Sequence, residues 1–408
     1  MQNEYTKCLH CLEDIRIGAK LCKHCKSKTY LVLADEIKFR CLNCGQKLST
    51  SKNATDQTLI CPTCNINVSI PEIKENTDES ALRESTSFIE KFTELMGLKS
   101  ISGVKYSEIF SEVFNKHEKK DAENIFACGT EQTTPDINNL DFEVPKPWLF
   151  FRVLVLSLIT YFLFDYMWEW FQNPKVVPGV IITGTFAIPI SVLVLFFELN
   201  IRKDLSFYRT AKILILGGVL SILVTLFIND TPIGKALINK MSASSAGPIE
   251  EIAKLFIVYY FLKGMKEKHI LSALLIGAAV GTGFSAFESA GYAFERLALS
   301  QSYESMEEMI KMRGLLSPFM HTTWTAIASA GLCIAFTNYQ AQGGRLFTNA
   351  RFLKLLGFSI ACHMYWNSTL LTSWGIFRYA PVAILVWIVI LSLVLEGIDE
   401  LKRKKHAG

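Results

Sequence analysis

Eight apolar segments between residues 148 and 397 constrain the fold of this chain more than any other feature of its sequence. Each segment is long enough, or nearly so, to cross a bilayer, which takes about 20 mostly apolar residues in a helix. The segments lie near 148–171, 178–199, 211–228, 248–264, 270–294, 314–338, 350–372 and 379–397. The sequence therefore predicts an all-α polytopic membrane domain of about eight transmembrane helices.

The connections between these segments alternate in charge. The cation-rich connections are the second, fourth and sixth, together with the tail at residues 398–408, and they include Arg202, Lys203, Lys263, Lys266, Arg345 and Arg351. The fifth connection is instead acidic, with Glu304, Glu307 and Glu308. Because cytoplasmic loops of membrane proteins are rich in Lys and Arg, we expect a multi-pass protein of the cell (inner) membrane with both termini in the cytoplasm.

The first 147 residues are polar and contain four CxxC pairs. Two such pairs can place four thiolates around one tetrahedral zinc ion. The sequence predicts two small zinc ribbons with β-knuckles, at residues 1–30 and 38–72, each holding one structural zinc ion. The expected ligands are Cys8, Cys11, Cys22 and Cys25 in the first ribbon and Cys41, Cys44, Cys61 and Cys64 in the second.

Two other interpretations of this head are less consistent with the sequence. A disulfide framework needs an oxidising compartment, which conflicts with a cytoplasmic N-terminus. Nucleic-acid binding is not expected, because the basic residues near the first ribbon are offset by acidic neighbours. We therefore expect the zinc-ribbon head to bind a cytoplasmic protein. Residues 73–147 form a polar, partly helical cytoplasmic connector.

Ionisable residues interrupt the fourth to seventh apolar segments. Glu250 and Glu251 begin the fourth, and Glu288, His321 and His363 lie in the three that follow. An ionisable group inside a bilayer costs roughly 2.5–3.5 kcal/mol on insertion scales, so a function is the first explanation to consider. With both termini inside, all of these groups lie in the outer half of the membrane. Because these ionisable groups share one depth in the membrane, we expect them to form a single functional site.

The spacing of these residues indicates hydrolytic chemistry. Glu250 and Lys254 are four residues apart on a helix, where an ion pair is favourable, and Glu251 would then face a water molecule as a general base. Helix geometry does not decide whether Glu250 or Glu251 is the general base, because either of two adjacent residues could face the site. Asn367, one turn after His363, is placed to donate to an oxyanion. Arg313 is interpreted as an interfacial anchor.

Four motifs occur here in a characteristic order: EExxK at Glu250–Lys254, FExxxY at Phe287–Tyr292, a single His321, and HxxxN at His363–Asn367. Residues 148–397 thereby resemble the PrsW family of intramembrane proteases, which is related to the CPBP group. The CPBP pattern differs in having an arginine, at longer spacing, where Lys254 stands.

The resemblance implies an endopeptidase that cleaves membrane-tethered protein substrates near the outer membrane face, as in site-1-type regulated proteolysis. It implies that the catalytic residues are Glu250, Glu251, Glu288 and His321, supported by His363 and Asn367. Glu288, His321 and His363 are the expected ligands of a further catalytic divalent metal, for which zinc is the expected ion.

One alternative remains open at this stage. The same groups would suit a non-catalytic membrane sensor, or an ion- or proton-coupled transporter, with a zinc-ribbon docking head. Proton-coupled transport is expected to place carboxylates along a path across the bilayer. Clustering at one depth favours the protease.

Overall fold

The computed structural model describes residues 5–7, 14–16, 22–23, 31–32, 36–41, 43–51, 58–70, 79–101, 106–342 and 346–407. The chain divides into two compact units, Met1–Arg83 and Glu84–Gly408. The boundary lies within helix α1 (Glu79–Met96), and each unit has its own hydrophobic core.

Short antiparallel strands make up the described part of the first unit. They are β1 (Tyr5–Lys7) paired with β2 (Asp14–Arg16); a sheet of β3 (Leu31–Val32), β4 (Glu36–Arg40) and β5 (Lys47–Ser51); and β6 (Thr58–Ile60) paired with β7 (Asn67–Ser69). The buried core around β4–β7 contains Phe39, Leu48 and Val68 together with Cys41 and Cys61. Apolar cores this small usually need a metal or disulfides for stability.

The second unit is helical, and eight long helices or helical regions correspond to the eight predicted segments. These are α4 (Leu149–Phe171), α5 (Val177–Leu199), the region from α6 (Phe207–Lys212) through a π-helical turn (Ile213–Gly217) to α7 (Gly218–Asp230), α9 (Ala246–Lys263), α10 (Ile270–Ser300), α12 (His321–Gln342), α13 (Ala350–Trp366) and α14 (Ala380–Ala407). The expectation of a polytopic all-α membrane domain is confirmed.

Six helical regions among the described residues are long and apolar enough to cross a membrane. The two that fall short are α9 and α13. Helix α9 carries Glu250, Glu251, Lys254 and Lys263, and α13 has only 17 residues. Neighbouring helices bury Glu250, Glu251 and Lys254 of α9, whereas Lys263 at the end of α9 is exposed. The chain is therefore an integral membrane protein whose two least apolar long helices are held by protein contacts.

Helix α10 is the centre of this unit and packs against α5, α7, α9, α12 and α14. Its crossing with α12 is unusually close. A Cβ atom at Gly277 would lie 2.4 Å from the Thr325 carbonyl oxygen, and one at Gly281 would lie 2.3 Å from that of His321. Glycine at both positions lets the two backbones meet. This contact fixes the first turn of α12 beside the middle of α10.

Three short helices complete the ends of the bundle. Helices α2 (Tyr106–Ile109) and α3 (Lys119–Phe126) lie in the predicted connector, and α8 (Pro232–Met241) follows α7. Ile101 and Ile109 pack against Ile388 of α14. From residue 84 onward, the connector therefore belongs to the same compact unit as the membrane helices.

A further helix, α11 (Tyr303–Leu316), occupies the acidic connection between α10 and α12. Its N-terminal residue, Tyr303, stacks on Trp168 with ring centroids 4.5 Å apart and donates a hydrogen bond of 2.6 Å to Asp165 Oδ1. These contacts attach α11 to α4. They also fix the position of Arg313, which lies in its last turn.

Candidate active site

Four helices bring the ionisable groups of the membrane unit together. Helix α9 supplies three of them from one face, and α10, α12 and α13 supply one each: Glu250, Glu251, Lys254, Glu288, His321 and His363. All except Glu288 are buried, and Lys254 has no exposed surface. A lysine ammonium without water must be compensated by nearby anions and acceptors.

Glu251 is the carboxylate that compensates Lys254. Lys254 Nζ donates to Glu251 Oε1 at 2.7 Å, and His363 Nδ1 lies 2.9 Å from the same oxygen. Lys254 is 3.7 Å from Glu250 Oε2. The expected ion pair between Lys254 and Glu250 is present, but Glu251, which was expected to be free, makes the shorter contact with Lys254. Residues three and four apart both share a helix face, and the position of His363 decides between them.

Glu250 is left as the less constrained carboxylate. Its Oε2 atom is buried but accepts no hydrogen bond from any described residue. The same atom lies 3.7 Å from His363 Nε2. A buried carboxylate oxygen without a hydrogen-bond partner is uncommon, and it indicates a group kept for a ligand, a water or a reaction.

Lys254 also orients His321. Its Nζ lies 2.8 Å from His321 Nδ1, and an ammonium can only donate, so Nδ1 accepts. The proton of the neutral imidazole is then on Nε2, which lies 3.1 Å from Glu288 Oε2. Phe284 lies beside this pair, with Lys254 Nζ 4.2 Å from its ring centroid. The apolar ring strengthens these polar contacts by excluding water.

Arg313 is the functional residue whose role the sequence interpretation missed. Instead of anchoring at the interface, its guanidinium forms an ion pair with Glu288, donates to Ser289 Oγ at 2.8 Å, and lies 4.5 Å from the ring centroid of Tyr292. One signal was available. A glutamate inside an apolar segment needs a nearby cation, and Arg313 precedes the next segment.

These groups face a cavity of about 230 Å³. The residues that line it include Glu250, Glu288, Arg313, His321, His363 and Asn367. Glu251 is not among the lining residues. Asn367 follows the last residue of α13, where its backbone N–H bonds to the His363 carbonyl, and both residues line the cavity. The cavity therefore exposes Glu250, two imidazoles and an amide to a bound molecule.

The donor set at this cavity fits a divalent metal. Glu250, His321 and His363 each offer one ligand atom, and the three atoms lie within 4.8 Å of one another. A carboxylate with two imidazoles is a known zinc-binding set. The sequence predicts Glu288 as the carboxylate of this set, but Arg313 neutralises Glu288 and Glu250 is grouped with the histidines instead.

The two histidines differ in how they are prepared for a metal. His363 donates its Nδ1 proton to Glu251, which leaves the Nε2 lone pair available and is the usual orientation of a metal-binding histidine. Both nitrogens of His321 already have a partner, Lys254 at Nδ1 and Glu288 at Nε2, so a metal bound to His321 would replace one of these two contacts.

A second candidate metal site lies in the N-terminal unit. Cys41 and Cys64 have their sulfurs 3.6 Å apart, as do Cys44 and Cys61. All four sulfurs lie within 4.8 Å of one another, as in a tetrahedral structural zinc site. Burial raises the pKa of the Cys61 thiol, but the backbone N–H groups of Thr63 and Cys64 help to lower it to about 6.

The two knuckles of this site have the same backbone. Gly45 N–H bonds to Cys41 O at 2.9 Å, and Asn65 N–H bonds to Cys61 O at 2.8 Å. Both residues after the CxxC pairs have left-handed φ angles, 76° at Gly45 and 60° at Asn65, which only glycine and asparagine adopt readily. In the first predicted set, Cys22 is buried, whereas Cys8, Cys11 and Cys25 lie outside the described residues.

Comparison with known proteins gives one match. Residues 208–394 match the model of a family described as PrsW family intramembrane metalloprotease. This range contains every residue that lines the cavity and all four motifs. No curated protein and no solved structure matches the chain. Residues 208–394 of this protein are therefore similar to the PrsW family of intramembrane metalloproteases, and this similarity supports a peptidase.

Proposed function

We propose that the cavity hydrolyses a peptide bond of a membrane-tethered protein and that Glu250 is the general base. The supporting observation is the contrast between the two adjacent glutamates. Each glutamate has one buried oxygen without a hydrogen-bond partner among the described residues, but Glu251 is held by Lys254 and His363 and is not a lining residue of the cavity, whereas Glu250 lines it. Only Glu250 combines access to a bound substrate with a free acceptor.

The reaction needs one water molecule and one proton relay. The Glu250 carboxylate takes a proton from water, and the water oxygen forms a bond to the scissile carbonyl carbon. The carbonyl oxygen gains negative charge, and the Asn367 amide is the group we assign to donate to it. The C–N bond then breaks, and the carboxyl group of Glu250 returns the proton to the leaving nitrogen.

A divalent metal at Glu250, His321 and His363, with zinc as the expected ion, would supply a Lewis acid beside the scissile carbonyl. Glu250 has two carboxylate oxygens, so one can serve as a ligand and the other as the proton acceptor. Glu288 and Arg313 act indirectly in this proposal, because they hold the Nε2 side of His321.

Orientation and regulation are part of the same proposal. The charge pattern of the loops supports cytoplasmic termini, which would place Glu250 and His321 in the outer half of the membrane. Cleavage would then occur near the outer face, as in site-1-type regulated proteolysis. We propose structural zinc in both ribbons and a cytoplasmic protein as the partner of this head.

The proposal is tested by comparing Glu250→Gln, Glu251→Gln and Glu295→Gln in cells that otherwise lack the protein. Fragments released from membrane proteins are quantified by labelling their new termini, so the substrate need not be known beforehand. Glu250→Gln should reduce wild-type-dependent fragments by the ~10²–10⁴-fold typical of lost acid–base catalysis, at unchanged protein level and melting temperature.

The other two variants separate catalysis from assembly. Glu251→Gln removes a buried partner of Lys254, so it should lower both cleavage and the melting temperature. Glu295→Gln changes an exposed residue on α10 and should leave both unchanged. Release of the same fragments by Glu250→Gln at the wild-type rate would exclude Glu250 as the base.

A further inference from the structure

A groove separate from the active-site cavity runs between the α6–α7 region and the end of α9 that is remote from Glu250. Its volume is about 950 Å³, and most of its surface is apolar. Leu220 and Val224 line one side, and Phe256, Ile257 and Phe261 line the other. We call this feature the α7–α9 groove. It is large enough for a molecule of several tens of atoms.

One end of the α7–α9 groove is strongly basic. Arg209, Lys212 and Lys263 line this end, and all three are exposed. None of them lies within 4.0 Å of a carboxylate in the part of the chain that the structure describes, although other lysines and arginines of the same unit form such pairs. Tyr208 and Tyr260 also line the groove, and tyrosine is enriched at membrane–water interfaces.

The length of the groove indicates what it can hold. From Lys212 to Val224 the chain advances twelve residues, which is about 18 Å at the rise of a helix. That is close to half of the ~30 Å hydrocarbon core of a bilayer. A transmembrane helix of a substrate would need the full thickness, whereas the acyl chains of one leaflet need about half.

The α6–α7 wall also has an uncommon backbone. The turn Ile213–Gly217 is π-helical, and Ile213 is a lining residue of the groove. Such turns are rare and often occur at functional sites. The widened turn lies directly after Lys212, between the basic end and the apolar part of the groove.

We propose that the α7–α9 groove binds a phospholipid with an anionic headgroup. The headgroup phosphate lies among Arg209, Lys212 and Lys263, and an acyl chain lies along Leu220, Val224 and Phe256. Basic pockets between transmembrane helices bind anionic headgroups by this combination of charge and apolar contact. The groove and the active-site cavity lie on different faces of α7, because Val224 lines the groove and the next residue, Thr225, lines the cavity.

Native mass spectrometry of the full chain tests this proposal. Wild type is released from mixed vesicles of phosphatidylglycerol and phosphatidylcholine, and the lipid retained per chain is counted. Wild type should retain phosphatidylglycerol selectively. The Arg209→Gln/Lys212→Gln/Lys263→Gln variant should lose this preference by roughly 10²-fold, since each cation near an anionic headgroup contributes about fivefold.

A matched control removes the same charge elsewhere. The Lys240→Gln/Lys402→Gln/Arg403→Gln variant changes three exposed cations outside the groove and should bind as wild type does. If both variants lost the preference for phosphatidylglycerol equally, the preference would depend only on the net charge of the protein, and the proposal would be overturned. Retained selectivity in the groove variant would overturn it as well.

Two further arms distinguish a lipid from other ligands. Leu220→Trp/Val224→Trp fills the apolar part and should abolish retention, while soluble glycerol phosphate should not compete. Competition by glycerol phosphate would mean that the basic end is a phosphate site without a lipid. If the Trp variant kept lipid selectivity but lost substrate cleavage, the groove would be a substrate site instead.

Discussion

The two candidate metal sites of this protein are constructed in opposite ways. In the cysteine site, all four candidate ligands are cysteine sulfurs, and Cys41 and Cys64 are 23 residues apart. In the membrane site, one carboxylate joins two imidazoles, and the contact between Glu251 and His363 spans 112 residues. The first site has four ligands of one kind, whereas the second faces a cavity of about 230 Å³.

The difference shows what each site requires of the rest of the fold. The cysteine site needs only two hairpins, because each CxxC turn delivers two sulfurs by local geometry, and its small core gains stability from the metal itself. The membrane site needs a complete helical bundle before its groups meet. Lys254 contacts three of these groups, Glu250, Glu251 and His321.

The largest expected effect separates the metal dependence of the two units. Cys41→Ser/Cys44→Ser should unfold the second ribbon, because structural zinc contributes about 10–16 kcal/mol of apparent binding free energy. Metal analysis of the intact chain should find one zinc ion fewer per chain than in wild type. The melting temperature of the membrane unit should not change, since the two units have separate cores.

His363→Ala is the counterpart on the membrane side. It should remove the metal of the cavity and leave the ribbon metal in place. If the two variants lost the same metal ion, the chain would have one metal site and the comparison between the two regions would fail.

An intermediate effect is expected for Lys254→Met. This change keeps an unbranched side chain but leaves Glu251 as a buried, uncompensated charge, which typically costs ~3–5 kcal/mol. A thermal unfolding measurement in detergent should show a clearly lower melting temperature, with cleavage lost as well. Lys240→Met, on exposed α8, is the control and should melt as wild type does. A wild-type melting temperature for Lys254→Met would show that Lys254 does not hold the site together.

The smallest expected effect concerns Arg313. Arg313→Lys keeps the charge near Glu288 but loses the additional hydrogen bond to Ser289, so His321 should be positioned less well. Cleavage should fall about tenfold, in keeping with the loss of roughly 1.4 kcal/mol of positioning. Folding should be retained, and Arg296→Lys, an exposed position on α10, should have no effect. An unchanged cleavage rate for Arg313→Lys would show that Arg313 does not position His321 and would favour its interpretation as an interfacial anchor.

Much of the architecture was predictable because it depends on local sequence. Apolar length predicted the membrane helices, and hydropathy was least informative at α9 and α13. One of these carries the charges of the site, and the other is short. Spacing within a CxxC pair predicted the cysteine cluster for the same reason, since a knuckle is a local turn. The order of the four motifs was sufficient to identify the PrsW family.

The sequence alone thus predicted the long helices, the similarity to the PrsW family, and a set of candidate site residues. Only the tertiary structure decided how those residues are paired. Glu250 and Glu251 both lie within one turn of Lys254, so the choice between them depends on His363, which comes from another helix. Arg313 likewise reaches Glu288 only because α11 is fixed against α4 and α10. Contacts between distant segments depend on the packing of whole helices, which local spacing does not specify.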